Sequence, residues 1–266
     1  MSRFEDLIAE GTNAPTEGWD FSWFAGRATE RRPSWGYATL LADRMARAGA
    51  ALDVQTGGGE VLASVPVAPP VLVATESWPP NLDIARRNLA PLGGLVVEAG
   101  DEDDLPFPAE DFDLVVSRHP VVTRWDEIRR VLRPGGTYLS QQVGAGSVRE
   151  LTEFLMGPRA VNEALEELGR RPLPPGATTS GADPVALAAG AEAAGLDVVD
   201  LRTEALRMEF HDIAAVVHFL RKVIWTVPGF TVDAYRPRLA ELHGFMERHG
   251  PFVAYARRCL VEARRG

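Results

Sequence analysis

Short apolar runs alternate with amphipathic segments through the middle of the chain. Residues 51–56, ALDVQT, spell a strand, and 59–65, GEVLASV, a short helix closed by Pro66. Residues 71–77, VLVATES, form a second strand. The stretch 81–93, NLDIARRNLAPLG, places Leu82, Ala85 and Leu89 on one helical face. LVVEAG (95–100), FDLVVSRH (112–119) and TYLSQQVG (137–144) follow as strands. Between the last two, DEIRRVLRPGG is a helix with Ile128, Val131 and Leu132 on one face, stopped at Pro134-Gly135-Gly136. Continuous apolar strands alternating with helices predict an α/β fold, doubly wound around a mostly parallel sheet.

Beyond Gly144 the pattern changes. Two helical stretches lead to a long strand at 196–210, LDVVDLRTEALRMEF. Helices at 211–223 and 231–250 come next, and FVAYARRCLVEARR (252–265) closes the chain as a last strand. Two strands separated by a helical insertion predict an antiparallel edge strand on the sheet. RPLPPGATTSG, 171–181, reads as an exposed loop. Residues 1–49 are expected to form an N-terminal helical lid and the first sheet-covering helix. Residues 50–266 are expected to form the core of a single structural domain, with helical cap insertions around 145–190 and 208–250.

The first strand ends in Asp53 and runs into Gly57-Gly58-Gly59. In a doubly wound sheet, ligands bind beyond the carboxyl ends of the strands, where strand order reverses. Glycine there permits positive φ and lets backbone approach a ligand. Glu76 ends the second strand, about 20 residues beyond the turn, where a carboxylate can accept from both hydroxyls of a ribose. Together these features imply a cofactor that contains a nucleoside. A dinucleotide would want Gly-x-Gly-x-x-Gly, but the third position falls on Leu62, and Asp53 would face the pyrophosphate. A nicotinamide dehydrogenase is disfavoured on both counts. S-Adenosyl-L-methionine carries an ammonium, a sulfonium and a ribose diol, and suits the acids better.

LDVQTGGGE, ATES, GDEDDLPFPAEDFDLVVSRH and RVLRPGGTYLSQQ resemble, in order and spacing, the successive motifs of class I S-adenosylmethionine-dependent methyltransferases. The resemblance spans residues 50–143. It implies a seven-stranded Rossmann-like sheet with S-adenosyl-L-methionine as cofactor. It also implies that Asp53 lies near the amino end of the methionine, that Gly57 and Gly59 line the cofactor, and that Glu76, with Ser77 beside it, holds the ribose. Asp101 would meet the adenine amine, with the Glu102 backbone beside the ring. Ser117, Arg118 and His119 would face the methyl group and the substrate. One position departs from the family, Gln55, where glycine is usual. Gln55 either bonds the methionine moiety or alters the pocket.

His119 directly follows the fourth strand and precedes Pro120. It is the candidate for catalysis or substrate orientation, against a competing reading as a loop imidazole that only shapes the pocket. The five histidines have no convincing metal-ligand spacing, and His211 and His218 read as surface or capping residues. Residues 17–37 concentrate aromatics. Trp35 and Tyr37 are expected to begin a helix led by Pro33 and to pack on the sheet. Trp19, Phe21, Trp23 and Phe24, upstream of any regular element, suit a lid over a planar acceptor. Arg27 is a partner for the methionine carboxylate or an ordinary surface arginine. Trp225 and Phe230, in the insertion before the last strand, are further substrate candidates.

The formal charge of −9 opposes a nucleic-acid partner. No apolar run approaches the roughly 20 residues that span a bilayer, and the N-terminus carries acids where a secretory signal is apolar. A cytoplasmic enzyme acting on a small aromatic or largely apolar acceptor, by O-, N- or C-methylation, is the leading expectation. RNA methylation and a non-catalytic cofactor-binding module are the alternatives, and a homodimer through the lid aromatics stays open. The single cysteine, Cys259, sits in an apolar stretch and is expected in the core.

Overall fold

The computed structural model describes residues 3–16 and 21–266. In chain order the first elements are α1 (Arg3–Asn13), β1 (Ala28–Glu30), α2 (Tyr37–Met45), β2 (Ala50–Asp53), β3 (Val71–Glu76) and α3 (Pro79–Leu89). Next come β4 (Leu95–Glu98), β5 (Phe112–Arg118), β6 (Val122–Arg124), α4 (Trp125–Val131) and β7 (Leu132–Val143). They are followed by α5 (Arg149–Met156), α6 (Pro158–Arg170), β8 (Ala177–Thr179) and α7 (Pro184–Ala193). The chain closes with β9 (Leu196–Phe210), α8 (Ile213–Lys222), α9 (Val232–His249) and β10 (Phe252–Arg265). Two compact units emerge. The smaller comprises Met1–Arg31, Gly146–Pro172 and Ala205–Ala256, and the larger comprises Arg32–Ala145, Leu173–Glu204 and Arg257–Gly266.

In the larger unit the strands run in the order β9-β10-β7-β5-β2-β3-β4. The pairs β2/β3, β3/β4, β2/β5 and β5/β7 are parallel, and β10 is antiparallel to β7. This is the expected α/β fold with a mostly parallel sheet, with two refinements. The antiparallel β10 lies between β7 and β9, inside the sheet and not at its edge. In the smaller unit β1 pairs antiparallel with the far end of β9, so the sheet counts eight strands where seven were expected.

Alternation along the strands sends successive side chains to opposite faces. Ala51, Leu72, Ala74, Leu114, Val116 and Leu139 join Leu41, Met45 and Leu89 in one core. Leu52, Val73, Phe112, Val115 and Tyr138 join Trp125, Ile128 and Leu187 in the other, together with the buried Cys259. Both faces are therefore dry, which is why the strands read as continuous apolar runs.

Several local expectations are corrected. The segment after the glycines is no α-helix: Pro66, Pro69 and Pro70 crowd it, and only the 3-10 turn Leu62–Ser64 forms. The aromatic segment is not upstream of all regular structure, since α1 precedes it and Ser22–Phe24 is itself a 3-10 turn. Trp35 stands ahead of α2, whose N-cap is the left-handed Gly36. Within 171–181 the three residues of β8 pair with β6.

The smaller unit has its own core, built by Ile8, Phe24, Leu151, Leu155, Phe210, Val216, Phe219 and Leu242 among others. Asp212 caps α8 by accepting from the Ala215 N–H, and Thr231 caps α9 through Ala234. His218 is no surface or capping residue. It is buried against Trp23 and Phe24 with both ring nitrogens unpartnered, and burial depresses its pKa to about 4, with Lys222 and Arg221 adding to the effect.

The turn Pro134-Gly135-Gly136 lies inside β7, where the β5/β7 register jumps from Phe112↔Leu132 to Leu114↔Thr137. A Cβ on Gly136 would sit 2.8 Å from the Arg133 carbonyl oxygen and 3.0 Å from Leu132 Cδ2. Gly136→Ala is therefore expected to destabilise the chain by about 1–3 kcal/mol, an overpacking penalty read as a lower urea midpoint.

Candidate functional site

Parallel pairing aligns the carboxyl ends of the central strands. Asp53 stands opposite Ala74 and Val116, Glu76 opposite Glu98, Ser117 opposite Ser140 and Arg118 opposite Gln141. From β2 the chain builds outward through β3 and β4, then returns to the other side of β2 as β5. The reversal of strand order therefore falls between β2 and β5. Asp53 to Gln55 and Ser117 to His119 flank it, where such sheets open a crevice.

Three carboxylates gather on the β2–β4 side. Asp53 is only 7% exposed, and its Oδ2 accepts from the Thr56 hydroxyl at 2.7 Å. Burial pushes its pKa up to about 7. Thr56 opposes that shift, Glu76 adds to it, and Arg118 opposes it. Glu76, 6% exposed, accepts from the Gly57 N–H at 2.7 Å, the Trp78 N–H at 2.8 Å and the Ser77 N–H at 3.1 Å. Burial still raises its pKa, against those backbone donors and with help from Asp101. Asp101 is raised by burial too, opposed by the Ser77 hydroxyl and reinforced by Glu102 and Asp103. Among the described residues none of the three forms a salt bridge.

Two of the glycines are needed for different reasons. Gly57 (φ 66) presents its N–H to Glu76. Gly59 (φ 74) lies against Leu89, whose Cγ would be 3.2 Å from an added Cβ, so its small size also serves packing on α3.

Gln55 adopts the left-handed conformation that glycine would take, with φ 59. Its side chain explains what it gains. The amide Oε1 accepts from the Val121 N–H and Nε2 donates to the Val122 carbonyl, both at 2.6 Å. Gln55 thus straps the glycine turn to the loop after β5, and both ends of its amide are engaged there.

On the β5 side, Ser117 is buried beneath the surface. Its hydroxyl contacts Tyr138 Oη at 2.7 Å and Ser140 Oγ at 2.9 Å, and its carbonyl accepts from Tyr37 Oη at 3.0 Å. Arg118 is exposed. His119 is half-buried with φ 58, and its Nε2 lies 3.0 Å from Gln141 Nε2. Between the two sides lies a cavity of about 20 Å³ lined by Gln55, Thr75, Asp101, Ser117, Thr123 and Arg124. Arg124, which also lines it, donates to the Glu102 carbonyl and pairs with Asp104 and Asp126.

Asp53, Gln55, Gly57, Gly59, Glu76, Ser77, Asp101, Glu102, Ser117, Arg118 and His119 therefore all belong to the larger unit. Arg27, Phe21, Trp23, Phe24, Trp225 and Phe230 belong to the smaller one. There Arg27 pairs with Glu10 and Asp212 and lies over the Trp23 ring at 4.7 Å. Phe24 is buried, while Phe21 and Trp225 are exposed; Trp19 lies outside the described residues. Sequence reasoning missed Thr56, Arg124 and Gln141. The polar run Ser140-Gln141-Gln142 at the end of an otherwise apolar strand was the available signal for Gln141. Among the described residues no cluster of three or more His, Cys, Asp or Glu is placed to hold a metal, and no helix is long and apolar enough to cross a membrane.

Residues 52–140 match the sequence model of a family described as methyltransferase domain. The fold is similar to that of YcgJ from Bacillus subtilis, at a TM-score of 0.57 and 16% identity over 86% of this chain and 97% of that one. A candidate methyltransferase from Bacillus halodurans C-125 gives 0.56 and 18%, over 85% and 97%. A functionally unknown protein from Deinococcus radiodurans R1 gives 0.53 and 16%, over the full length of both chains. No curated protein sequence matches. Residues 52–140 are thus similar to a methyltransferase domain, and the whole chain shares the α/β fold of these solved structures.

The Gln55 strap has a direct test. Gln55→Glu keeps the acceptor for Val121 but sets a carboxylate oxygen against the Val122 carbonyl, and is expected to destabilise the chain by about 1–3 kcal/mol in urea unfolding. Gln55→Gly loses both bonds but relieves the left-handed strain, worth roughly 1–2 kcal/mol, so its loss should be the smaller.

Proposed function

We propose that this chain is an S-adenosylmethionine-dependent methyltransferase whose cofactor lies across the tips of β2, β3 and β4. The carrying observation is the trio Asp53, Glu76 and Asp101: carboxylates whose pKa burial raises and which form no salt bridge among the described residues. Carboxylates of that character repel a pyrophosphate and attract a ligand that brings cations and hydrogen-bond donors. Asp53 fits the amino-acid ammonium, Glu76 the ribose diol, and Asp101 the exocyclic amine. The match of residues 52–140 to a methyltransferase domain covers all three positions.

When bound, the cofactor supplies an electrophilic methyl carbon on a sulfonium sulfur. The chain's own contribution is alignment and exclusion of water, the two effects that dominate such displacements. The hydroxyls of Ser117, Tyr138 and Ser140 satisfy one another, so the β5 side offers a fixed, neutral floor. The cavity beside Asp101 is about 20 Å³, room for one water and not for a purine.

The acceptor in this reading is a small aromatic or largely apolar molecule. The concentration of aromatic residues in the sequence from Phe21 to Tyr37 supports that choice. The net charge of −9 favours it over RNA.

Calorimetric titration tests the cofactor. S-Adenosylhomocysteine is expected to bind and NADH to fail; the reverse pattern would sink the proposal. Glu76→Ala should weaken S-adenosylhomocysteine binding by about 1–3 kcal/mol, through lost hydrogen bonds to the diol.

The pH dependence follows from Asp53. In the free protein its pKa is about 7. A bound ammonium favours the carboxylate and lowers that value, so binding below pH 7 must release a proton. Affinity is therefore expected to be full above pH 7 and to fall by up to tenfold per pH unit, roughly, as pH drops below it. Asp53→Asn should flatten the dependence. The free protein obeys the opposite rule. A folded pKa above the unfolded one makes the group's stabilisation complete below about pH 4 and lost as pH rises through 7. Asp53→Asn should accordingly raise the melting temperature of the free chain at pH 8 and leave it little changed at pH 4.

A further inference from the structure

We infer that His119 is a neutral hydrogen-bond donor, protonated on Nδ1 and held in that tautomer by Gln141 and Trp35, and is not a general base. The placement of the proton follows from geometry alone; the use of the donor in methyl transfer rests on the function proposed above.

The chain of reasoning starts at an indole. Trp35 Nε1 lies 2.9 Å from Gln141 Oε1, both residues being buried. An indole N–H only donates, so the Gln141 carbonyl must face it. That fixes the amide orientation and turns Gln141 Nε2 toward the imidazole, 3.0 Å from His119 Nε2. An amide NH₂ only donates, so His119 Nε2 must accept through its lone pair. A neutral imidazole carries one N–H, which then sits on Nδ1. An imidazolium would set N–H against N–H across that contact.

The ring is also rooted at its backbone. The His119 N–H donates to the Gln141 carbonyl at 2.7 Å, so the same residue holds both ends. The surroundings act in the same direction as the geometry. Burial lowers the His119 pKa well below its ordinary value, and the charged groups that act on it, Arg118 on β5 and Arg258 on β10, are both cationic.

The chemical consequence is specific. The lone pair that a base needs is occupied by Gln141, and the other nitrogen offers a proton. His119 would steady an oxygen of a bound molecule, such as a carbonyl, carboxylate or ether, and would not deprotonate a nucleophile. Gln141 and Trp35 act through His119 and are positioning residues.

Long-range ¹H–¹⁵N correlation spectra of the full chain carrying ¹⁵N-histidine test the inference without knowledge of the acceptor. Loss of one ring system in His119→Asn assigns the signals. The expected result is a pyridine-type Nε2 and a pyrrole-type Nδ1, unchanged from pH 6 to pH 8. A pyrrole-type Nε2, or titration to imidazolium within that range, would overturn it. Gln141→Glu replaces the donor with a carboxylate and should move the proton to Nε2 or raise the pKa by more than one unit, which a merely structural residue would not do. Trp35→Phe frees the Gln141 amide to turn and should yield a mixture of tautomers, giving a second readout should Gln141→Glu fail to fold.

Titrating the same samples with S-adenosylhomocysteine separates the two claims. Cofactor binding with the reversed tautomer sinks the donor inference alone. The expected tautomer without cofactor binding sinks the methyltransferase reading and leaves the tautomer standing.

Discussion

Burial of carboxylates that form no salt bridge among the described residues is the constraint on which the candidate site depends. Removing a carboxylate from water is expensive, and proteins tolerate it where hydrogen bonds or a protonation change compensate. Both compensations operate here. Glu76 takes three backbone N–H groups from the segments on either side of it, Gly57 before and Ser77 and Trp78 after. Asp53 has, among the described residues, the Thr56 hydroxyl, and burial pushes its pKa up to about 7. The difference in donors explains why two acids at neighbouring strand tips carry different burdens, one held by backbone and one held by a proton.

That constraint fixes the shape of the turn. Glu76 can reach the Gly57 N–H only because the chain bends sharply after β2, through a left-handed Gln55 and a left-handed Gly57. A glycine at position 55 would make the bend at no steric cost, but it would leave the Val121 N–H and the Val122 carbonyl without this partner. Gln55 accepts the strained backbone and gains two short hydrogen bonds to the loop after β5. Gln55 is therefore a coupling: the turn that carries Asp53 and the loop that carries His119 are joined by one side chain.

How much of this was legible in the sequence depends on the range of the interaction. Strands β2, β3, β4, β5 and β7 could be read because burial on both faces writes itself as uninterrupted apolar residues. The boundaries of β9 and β10 were equally plain, from their β-branched and aromatic content. The helix after the glycines was overread, because its apolar spacing hid the three prolines that limit it to one 3-10 turn. Within the helical segment expected over residues 1–49, α1 had no sharp bounds in the sequence, because RFEDLIAEGTN ends in Gly, Thr and Asn, residues of low helix propensity, and its face is completed by α8 and α9. The burial of His218 was invisible for a related reason, since its neighbours Trp23 and Phe24 come from nearly two hundred residues away. At the site, the residue types were legible and their partners were not. Nothing local in the sequence says that Gln55 reaches Val121 or that Trp35 orients Gln141.

The two sides of the strand-order reversal differ in electrostatic sign, and that asymmetry bears on what can bind. Asp53, Glu76 and Asp101 make the β2–β4 side acidic, while on the β5 side burial lowers the His119 pKa and the positive charges of Arg118 and Arg258 add to that effect. The fields overlap in the middle, where Arg118 lowers the pKa of Asp53 that burial and Glu76 raise. A uniformly acidic crevice would hold Asp53 protonated more firmly, and a uniformly basic one would remove the need for a proton at all. In the proposed function this gradient suits a zwitterion whose ammonium takes the place of the Asp53 proton, so the acid that limits the stability of the free chain is also the one that would bind the ligand's cation.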